Sequence, residues 1–298
     1  MKFQVVCDSA ADLPHDYTEK REIAVVPFYI SLDGEIYLKE GQDITTSDLY
    51  QVMLNHDDCF PKTSMPSIQD YIDAFMPFVR QHIPVLCICL TQKFSGSYQS
   101  ALTARSAVLE EHPEARIHVM DSQLATALEG LLVSEACRLR DLDLDLDRAV
   151  SLLEPIRSTG RIFFTTKDLK YLEHGGRLSK VARIAGTVLN LKPVLSFFSG
   201  ELGPVEICRG MKNSLEKVFA NFFEDLSKEK IMLKDYIFGT GLGLDVPEYD
   251  GFIRKLEEKF DAAGIHPDGW LRVHIGATIG VHTGPFPMGL GMIKKCAV

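Results

Sequence analysis

Residues 85–90, Val-Leu-Cys-Ile-Cys-Leu, are apolar without a break. A run this short and this apolar reads as a strand covered on both faces, as at the centre of a parallel sheet. That reading constrains the rest of the chain, because parallel strands need long crossovers, usually helices, rather than tight hairpins. The flanking sequence supplies both kinds of segment. Phe3–Cys7, Ile23–Ile30 and Ile117–Met120 read as further strands. From Ser67 onward, Ile68, Tyr71, Ile72, Phe75, Phe78 and Val79 recur at helical spacing, with Ser67 as N-cap and Asp70 in the first turn. A second helix starts near Ser97 and buries Tyr98, Ala101, Leu102, Val108 and Leu109.

The second half repeats the alternation. Arg161–Thr165, Leu202–Cys208, Tyr236–Gly239 and Leu271–Thr278 read as strands. Leu215, Val218, Phe219, Phe222, Phe223 and Leu226 form one amphipathic helix, and Phe252, Ile253, Leu256 and Phe260 another. The expected fold class is therefore α/β, and 298 residues suffice for two units. A boundary at Ser158-Thr159-Gly160 divides the chain into an N-terminal α/β domain, 1–158, and a C-terminal one, 159–298.

Charge and cysteine usage exclude several function classes. The formal net charge of −9 argues against a general binder of nucleic acid or anionic membrane, which needs a basic surface. The seven cysteines form no CxxC pair, so zinc and redox motifs lack support and reduced, buried thiols in a cytoplasmic protein are expected. The opening MKFQVVCDSAADLP meets acidic residues too early for a secretory signal, and no apolar stretch reaches the ~20 residues of a spanning helix. Asp141–Asp147 lacks the glycine and glutamate of a calcium loop, because Leu146 and Leu152 stand at those positions. It reads as an acidic connection into the Arg148 helix, and no metal site is expected.

The strongest local signal for chemistry follows the central strand. Thr91-Gln-Lys-Phe-Ser95-Gly96-Ser97 leads from the strand into a helix. A helix N-terminus offers unpaired N–H groups that suit a carboxylate or phosphate, and Gly96 lets a ligand approach the backbone. A plain N-cap with no ligand accounts for the same residues. No P-loop is present, and Gly239-Thr-Gly241-Leu-Gly243 breaks the dinucleotide pattern at Leu244, so a turn is expected there. Further polar candidates are Thr63-Ser64 before the Ser67 helix, His282 after the strand expected to end near Thr278, and Asp8-Ser9 as a cap or part of a cleft floor. Arg177 and Arg209 sit in basic loop segments that suit either solvent or a partner surface.

Taken in order, these segments resemble the DegV family of fatty-acid-binding proteins. The resemblance rests on Cys7-Asp-Ser-Ala-Ala-Asp-Leu-Pro14, Glu40-Gly-Gln-Asp-Ile-Thr45, Thr63-Ser-Met-Pro-Ser67 and Phe94-Ser-Gly-Ser-Tyr-Gln-Ser-Ala101. It continues through Asp121-Ser122, Tyr171-Leu-Glu-His-Gly-Gly-Arg177, Lys192-Pro193 and Gly280-Val-His-Thr-Gly-Pro285. It implies two α/β domains with a lipid tunnel near their junction and a long-chain fatty acid as the bound ligand, with no cofactor. It further implies a chain that is not itself an enzyme but presents the fatty acid to the ATP-binding subunit of a fatty acid kinase. By motif, the carboxyl group falls to Thr63, Ser95, the Gly96 N–H and His282. Ser64, Ser97, Asp121, Ser122 and Phe286 are expected near the pocket, with Arg209 and Arg177 on the partner surface. Leu128 and Phe286 are bulkier than the family pattern, which implies a tunnel that is narrowed or reshaped there.

One rival reading uses the same residues. A Ser/His acyl hydrolase would take Ser95 as nucleophile, His282 as base and Asp8 or Asp121 as orienter, although Ser95 lacks the GxSxG elbow.

Overall fold

The computed structural model describes residues 2–56, 58–167, 169–177, 191–198, 200–228, 231–262, 264 and 270–297. Strands of the first part are β1 (Gln4–Asp8), β2 (Ala24–Val26), β3 (Tyr29–Ser31), β4 (Leu38–Lys39), β5 (Lys62–Ser64), β6 (Val85–Cys89) and β7 (Ile117–Asp121). Those of the second are β8 (Arg161–Thr165), β9 (Leu191–Phe198), β10 (Glu201–Arg209), β11 (Tyr236–Leu242), β12 (Trp270–His274) and β13 (Met288–Lys294). The helices are α1 (His15–Lys20), α2 (Thr46–Asn55), α3 (Ile68–Val79), α4 (Ser97–Glu111) and α5 (Thr126–Asp141), followed by α6 (Leu146–Arg157), α7 (Lys170–His174), α8 (Met211–Lys228), α9 (Pro247–Ala262) and α10 (Ala277–Thr283).

A four-stranded parallel sheet runs β2-β1-β6-β7, with the fully buried β6 inside it as its apolar run demands. A small antiparallel sheet, β4-β3-β5, lies beside it. The six-stranded sheet runs β10-β9-β8-β13-β11-β12 and is antiparallel except for the β11–β12 pair. Ser67 and Asp70 form a capping box at the start of α3, and Asp145 caps α6, which ends the acidic connection as expected.

Three sequence expectations change. Ile23–Ile30 is two strands, because Pro27 has no N–H to give the ladder; the chain leaves β2 at Val26 and joins the small sheet at Tyr29. The strand expected over Leu271–Thr278 stops at His274, and Gly276 caps α10, so Thr278 and His282 are helical. Carboxylates drive that switch: Asp12 Oδ1 accepts the Gly276 N–H at 2.9 Å, and Glu40 Oε1 accepts that of Thr278 at 3.0 Å. Gly239 and Gly241 lie within β11 rather than in a turn, and at Gly241 the absent side chain leaves room for the end of Ile275.

Helix α5 joins the two large sheets. Leu128, Leu131 and Leu132 share one apolar cluster with Val5 and Leu86 of the parallel sheet and with Ile162, Phe197 and Ile293 of the mixed sheet. A boundary at residue 158 remains a proposal: the sheets fall on either side of it, while the core runs across it. Among the described residues no helix is long and apolar enough to cross a membrane, and no acidic, histidine and cysteine cluster could hold a metal ion. Six of the seven cysteines are buried and all are free thiols.

Candidate functional site

A cavity of about 300 Å³ opens where the small sheet, the turn into α4, α10 and the face of the mixed sheet meet. Its walls are mainly apolar: Phe28, Leu90 and Phe94 from the first part face Phe164, Phe197 and Leu202 from the second. Strand β13 meets β11 there with Gly289 opposite Gly241, so a stretch of sheet face carries no side chains and leaves room. A Cβ on Gly289 would sit 2.6 Å from Phe164 Cβ and 3.0 Å from the Phe163 carbonyl oxygen.

The polar groups gather at one end. Thr63 lies at the register position of β5 opposite Ile30, and its hydroxyl is 2.9 Å from His282 Nε2 in the last turn of α10. His282 Nδ1 is buried without a hydrogen-bond partner among the described residues and faces Gly175. A Cβ at Gly175 would lie 2.2 Å from that nitrogen, so the glycine makes the room the imidazole occupies. Burial, then the neighbouring Arg177 charge, pushes His282 down to about 3. The ring is neutral at physiological pH.

Ser95 and Gly96 precede α4. The Ser95 oxygen accepts the Ser97 N–H at 3.1 Å, which leaves its own proton to donate. Gly96 is the N-cap and is packed by Met65, whose sulfur would lie 2.5 Å from a Cβ at that position. A side chain at this position would therefore displace the flexible end of Met65.

Arg177, for which the sequence offers either solvent or a partner surface, belongs to this end too. Its guanidinium donates to the Phe94 carbonyl at 3.1 and 3.3 Å and to that of Gly175 at 2.6 Å, and it lines the cavity half-buried. Burial lowers its pKa, but an arginine this far above neutrality keeps its charge. The cavity therefore contains a full positive charge beside the neutral donors. The signal for it was the Gly-Gly-Arg sequence, whose first glycine seats His282.

Of the other pocket candidates, Ser64 lines the cavity and the rest do not. The Ser97 hydroxyl points into the core, donating to Asp8 Oδ2 at 2.6 Å and taking a hydrogen bond from Tyr71 at 2.5 Å. Asp121 ties two loops together by accepting from Gln92 and Gln123, and Ser122 closes a local turn on Leu124. Phe286 borders a separate cavity of about 110 Å³ with Lys167 Nζ 4.7 Å above its ring. Leu128 is in the fully buried core, so neither bulky residue narrows the main cavity. Arg209 is exposed at the end of β10.

No hydrolytic triad forms among these groups. His282 Nε2 is paired with Thr63, its Nδ1 has no carboxylate partner among the described residues, and its depressed pKa makes it a poor general base. Asp8 and Asp121 are each committed to other donors. The cavity offers an apolar chamber and donors suited to an anionic head; among the described residues none activates Ser95.

Known proteins share this architecture. A stearic-acid-binding protein from Eubacterium ventriosum is 38% identical and superposes with a TM-score of 0.91 over 98% of each chain. A DegV family protein from Thermus thermophilus, described by its fatty acid binding, is 26% identical with a TM-score of 0.84, covering 99% of this chain and all of that one. The Fak B3 protein of fatty acid kinase from Streptococcus pneumoniae, loaded with linoleic acid, has a TM-score of 0.80 over both whole chains; at 20% identity that likeness is one of fold. The model of the DegV family, a family of uncharacterised proteins, matches residues 2–295, and the chain belongs to that family.

Proposed function

We propose that this chain binds a long-chain fatty acid in the cavity, with the carboxylate held by Thr63, Ser95, the Gly96 N–H and His282 beside the Arg177 charge. The observation that carries this reading is the pairing of an apolar chamber with a polar end that contains one buried-facing cation. Burying ~14 methylenes at about 0.8 kcal/mol each yields roughly 11 kcal/mol before the costs of association. An unpaired carboxylate would forfeit much of that, because a buried anion without donors is very costly. Hydroxyl and backbone donors satisfy its lone pairs, and the guanidinium offsets its charge.

A neutral His282 and an unactivated Ser95 favour presentation over chemistry. In this reading a separate kinase subunit, docked through the exposed Arg209, brings ATP in the cytoplasm. A carboxylate oxygen then attacks the γ-phosphorus, giving the acyl phosphate and ADP. The likeness of fold to a fatty acid kinase B protein supports this role.

Mass spectrometry of small molecules released by denaturing the purified protein tests the ligand. A single class of fatty acid is expected; equal affinity of the delipidated protein for decanol and decanoic acid would remove the carboxyl clamp. Reconstitution with a kinase subunit tests presentation. Arg209→Ala should lower acyl-phosphate formation while bound lipid is retained; an unchanged rate removes Arg209 from the docking surface.

A further inference from the structure

Glu129 is fully buried on α5, and neither of its carboxyl oxygens receives a hydrogen bond from any described donor. The titratable groups facing it come from several elements: Cys7 and Asp8 on β1, Cys87 and Cys89 on β6, and Asp12 just after the first short turn. Strands β11, β12 and β13 meet α5 through Gly239, Leu271 and Gly291, which carry no charge. From α6, the apolar Leu146, Ala149 and Leu153 share the cluster that holds Leu128, Leu131 and Leu132 of α5. Among these facing groups, the carboxyl of Asp8 is the one that acts on Glu129 through a hydrogen-bonding interaction as well as through charge.

Two carboxylates cannot hydrogen-bond to each other, whereas an acid and a carboxylate can. The surroundings decide which residue keeps the proton. Asp8 accepts the Ala10 N–H at 3.2 Å, the Leu90 N–H at 2.9 Å and the Ser97 hydroxyl at 2.6 Å, all of which favour its anion. Glu129 has no such donors. We infer that Glu129 is a neutral acid whose hydroxyl donates to the Asp8 carboxylate, and that this proton-sharing pair positions the turn at Ser95–Ser97.

The links can be followed atom by atom. Asp8 holds the Ser97 hydroxyl and the Leu90 N–H; Ser97 N–H donates to Ser95 Oγ; Leu90, Ser95 and Gly96 line the cavity. Tyr71 locks Ser97 from the opposite side. Glu129 thereby completes the shell of an anion that anchors the first turn of α4, although it touches no ligand itself. It is a positioning residue. The effect on ligand rests on the function proposed above, whereas the protonation state does not.

Burial and the neighbouring Asp8 charge raise Glu129 well above its ordinary 4.5, and burial lifts Asp8 to about 6 against the pull of its donors. The sign follows from linkage: the folded state holds a proton that the unfolded state has lost. The stability that Glu129 contributes is then greatest below the ordinary carboxyl value and is lost as pH rises toward its folded value. Glu129→Gln keeps a donor for Asp8 and removes the titration.

The test combines carboxyl-carbon NMR of glutamate-labelled full-length protein with unfolding from pH 5 to 9 and fatty-acid affinity of the delipidated protein. The expected spectrum contains one protonated glutamate at pH 7, which disappears in Glu129→Gln. That variant should flatten the fall of stability with pH and bind within about threefold of wild type. Glu129→Leu, which fills the space but gives Asp8 no donor, should bind roughly tenfold more weakly, in keeping with loss of a hydrogen bond to a charged group. A Glu129 signal that is ionised at pH 7, or stability curves for wild type and Glu129→Gln that run parallel, overturns the shared proton. Unchanged affinity in Glu129→Leu overturns the positioning role. If wild type binds no fatty acid, the proposed function fails while the NMR and stability results still decide the proton.

Discussion

The two ends of the cavity are built by different means. The apolar end rests on the face of the mixed sheet, where Phe164, Phe197 and Gly289 sit at fixed register on adjoining strands, with Phe28, Leu90 and Phe94 opposite. The polar end is gathered from β5, the turn before α4, the residues after α7 and the last turn of α10. A sheet face holds a volume, because its spacing is set by the ladder. Separated segments hold donors, because each can be adjusted without disturbing the others. The first should determine how much chain is accepted, and the second whether its head is an acid.

The largest expected effect is at the sheet face. Gly289→Val would press Cβ onto Phe164 and the Phe163 carbonyl, where backbone cannot give way; a loss of about 2–3 kcal/mol is expected. The variant should also lose longer acyl chains first, read by mass spectrometry of the released lipid. Unaltered chain selection would break the division of labour. At the other end, Arg177→Gln should weaken decanoate by roughly ten- to a hundredfold and decanol by less than about threefold. Parallel losses for the two ligands would make Arg177 a wall rather than a charge.

His282 sharpens the same comparison through pH. Its folded value of about 3 lies below the ordinary 6.5, so the unfolded state binds more protons between them. Stability contributed by the neutral ring is present above about 6.5 and is lost as pH falls, at up to about 1.4 kcal/mol per pH unit. In delipidated protein, wild type minus His282→Gln should show this slope in urea unfolding between pH 6.5 and 5; a flat difference would mean the ring is solvated. Smallest of the four, Thr63→Val removes a single hydroxyl contact to His282 and should cost about 1 kcal/mol of decanoate affinity by calorimetry.

Much of this was legible in the residues, and the failures have local causes. The apolar 85–90 run located the buried β6, and Ser67 with Asp70 marked the start of α3. Pattern alone could not split residues 23–30, although Pro27 stood in the run as the reason to do so. Residues 271–278 kept a strand-like composition past the point where Asp12 and Glu40, remote in sequence, turn the chain into α10. The same blindness to distant partners explains the site. Thr63, Ser95, Gly96 and His282 were found by motif, and the structure places all of them on one cavity. Ser97, Asp121 and Ser122 have the same chemistry in sequence but spend it on core and loop contacts. Glu129 gave no sign at all, because most of α5 is buried and a weak alternation of polar and apolar positions leaves nothing to mark an exception.

The contact between Thr63 and His282 spans 219 positions of chain. A molecule seated against both would act as a reversible staple, closing a loop far longer than any local turn. Its grip cannot form during synthesis until residue 282 has been made and α10 has docked. Occupancy would then report that folding is complete, and a ligand at a hundred times its dissociation constant would add about 2.7 kcal/mol to the stability of the whole chain.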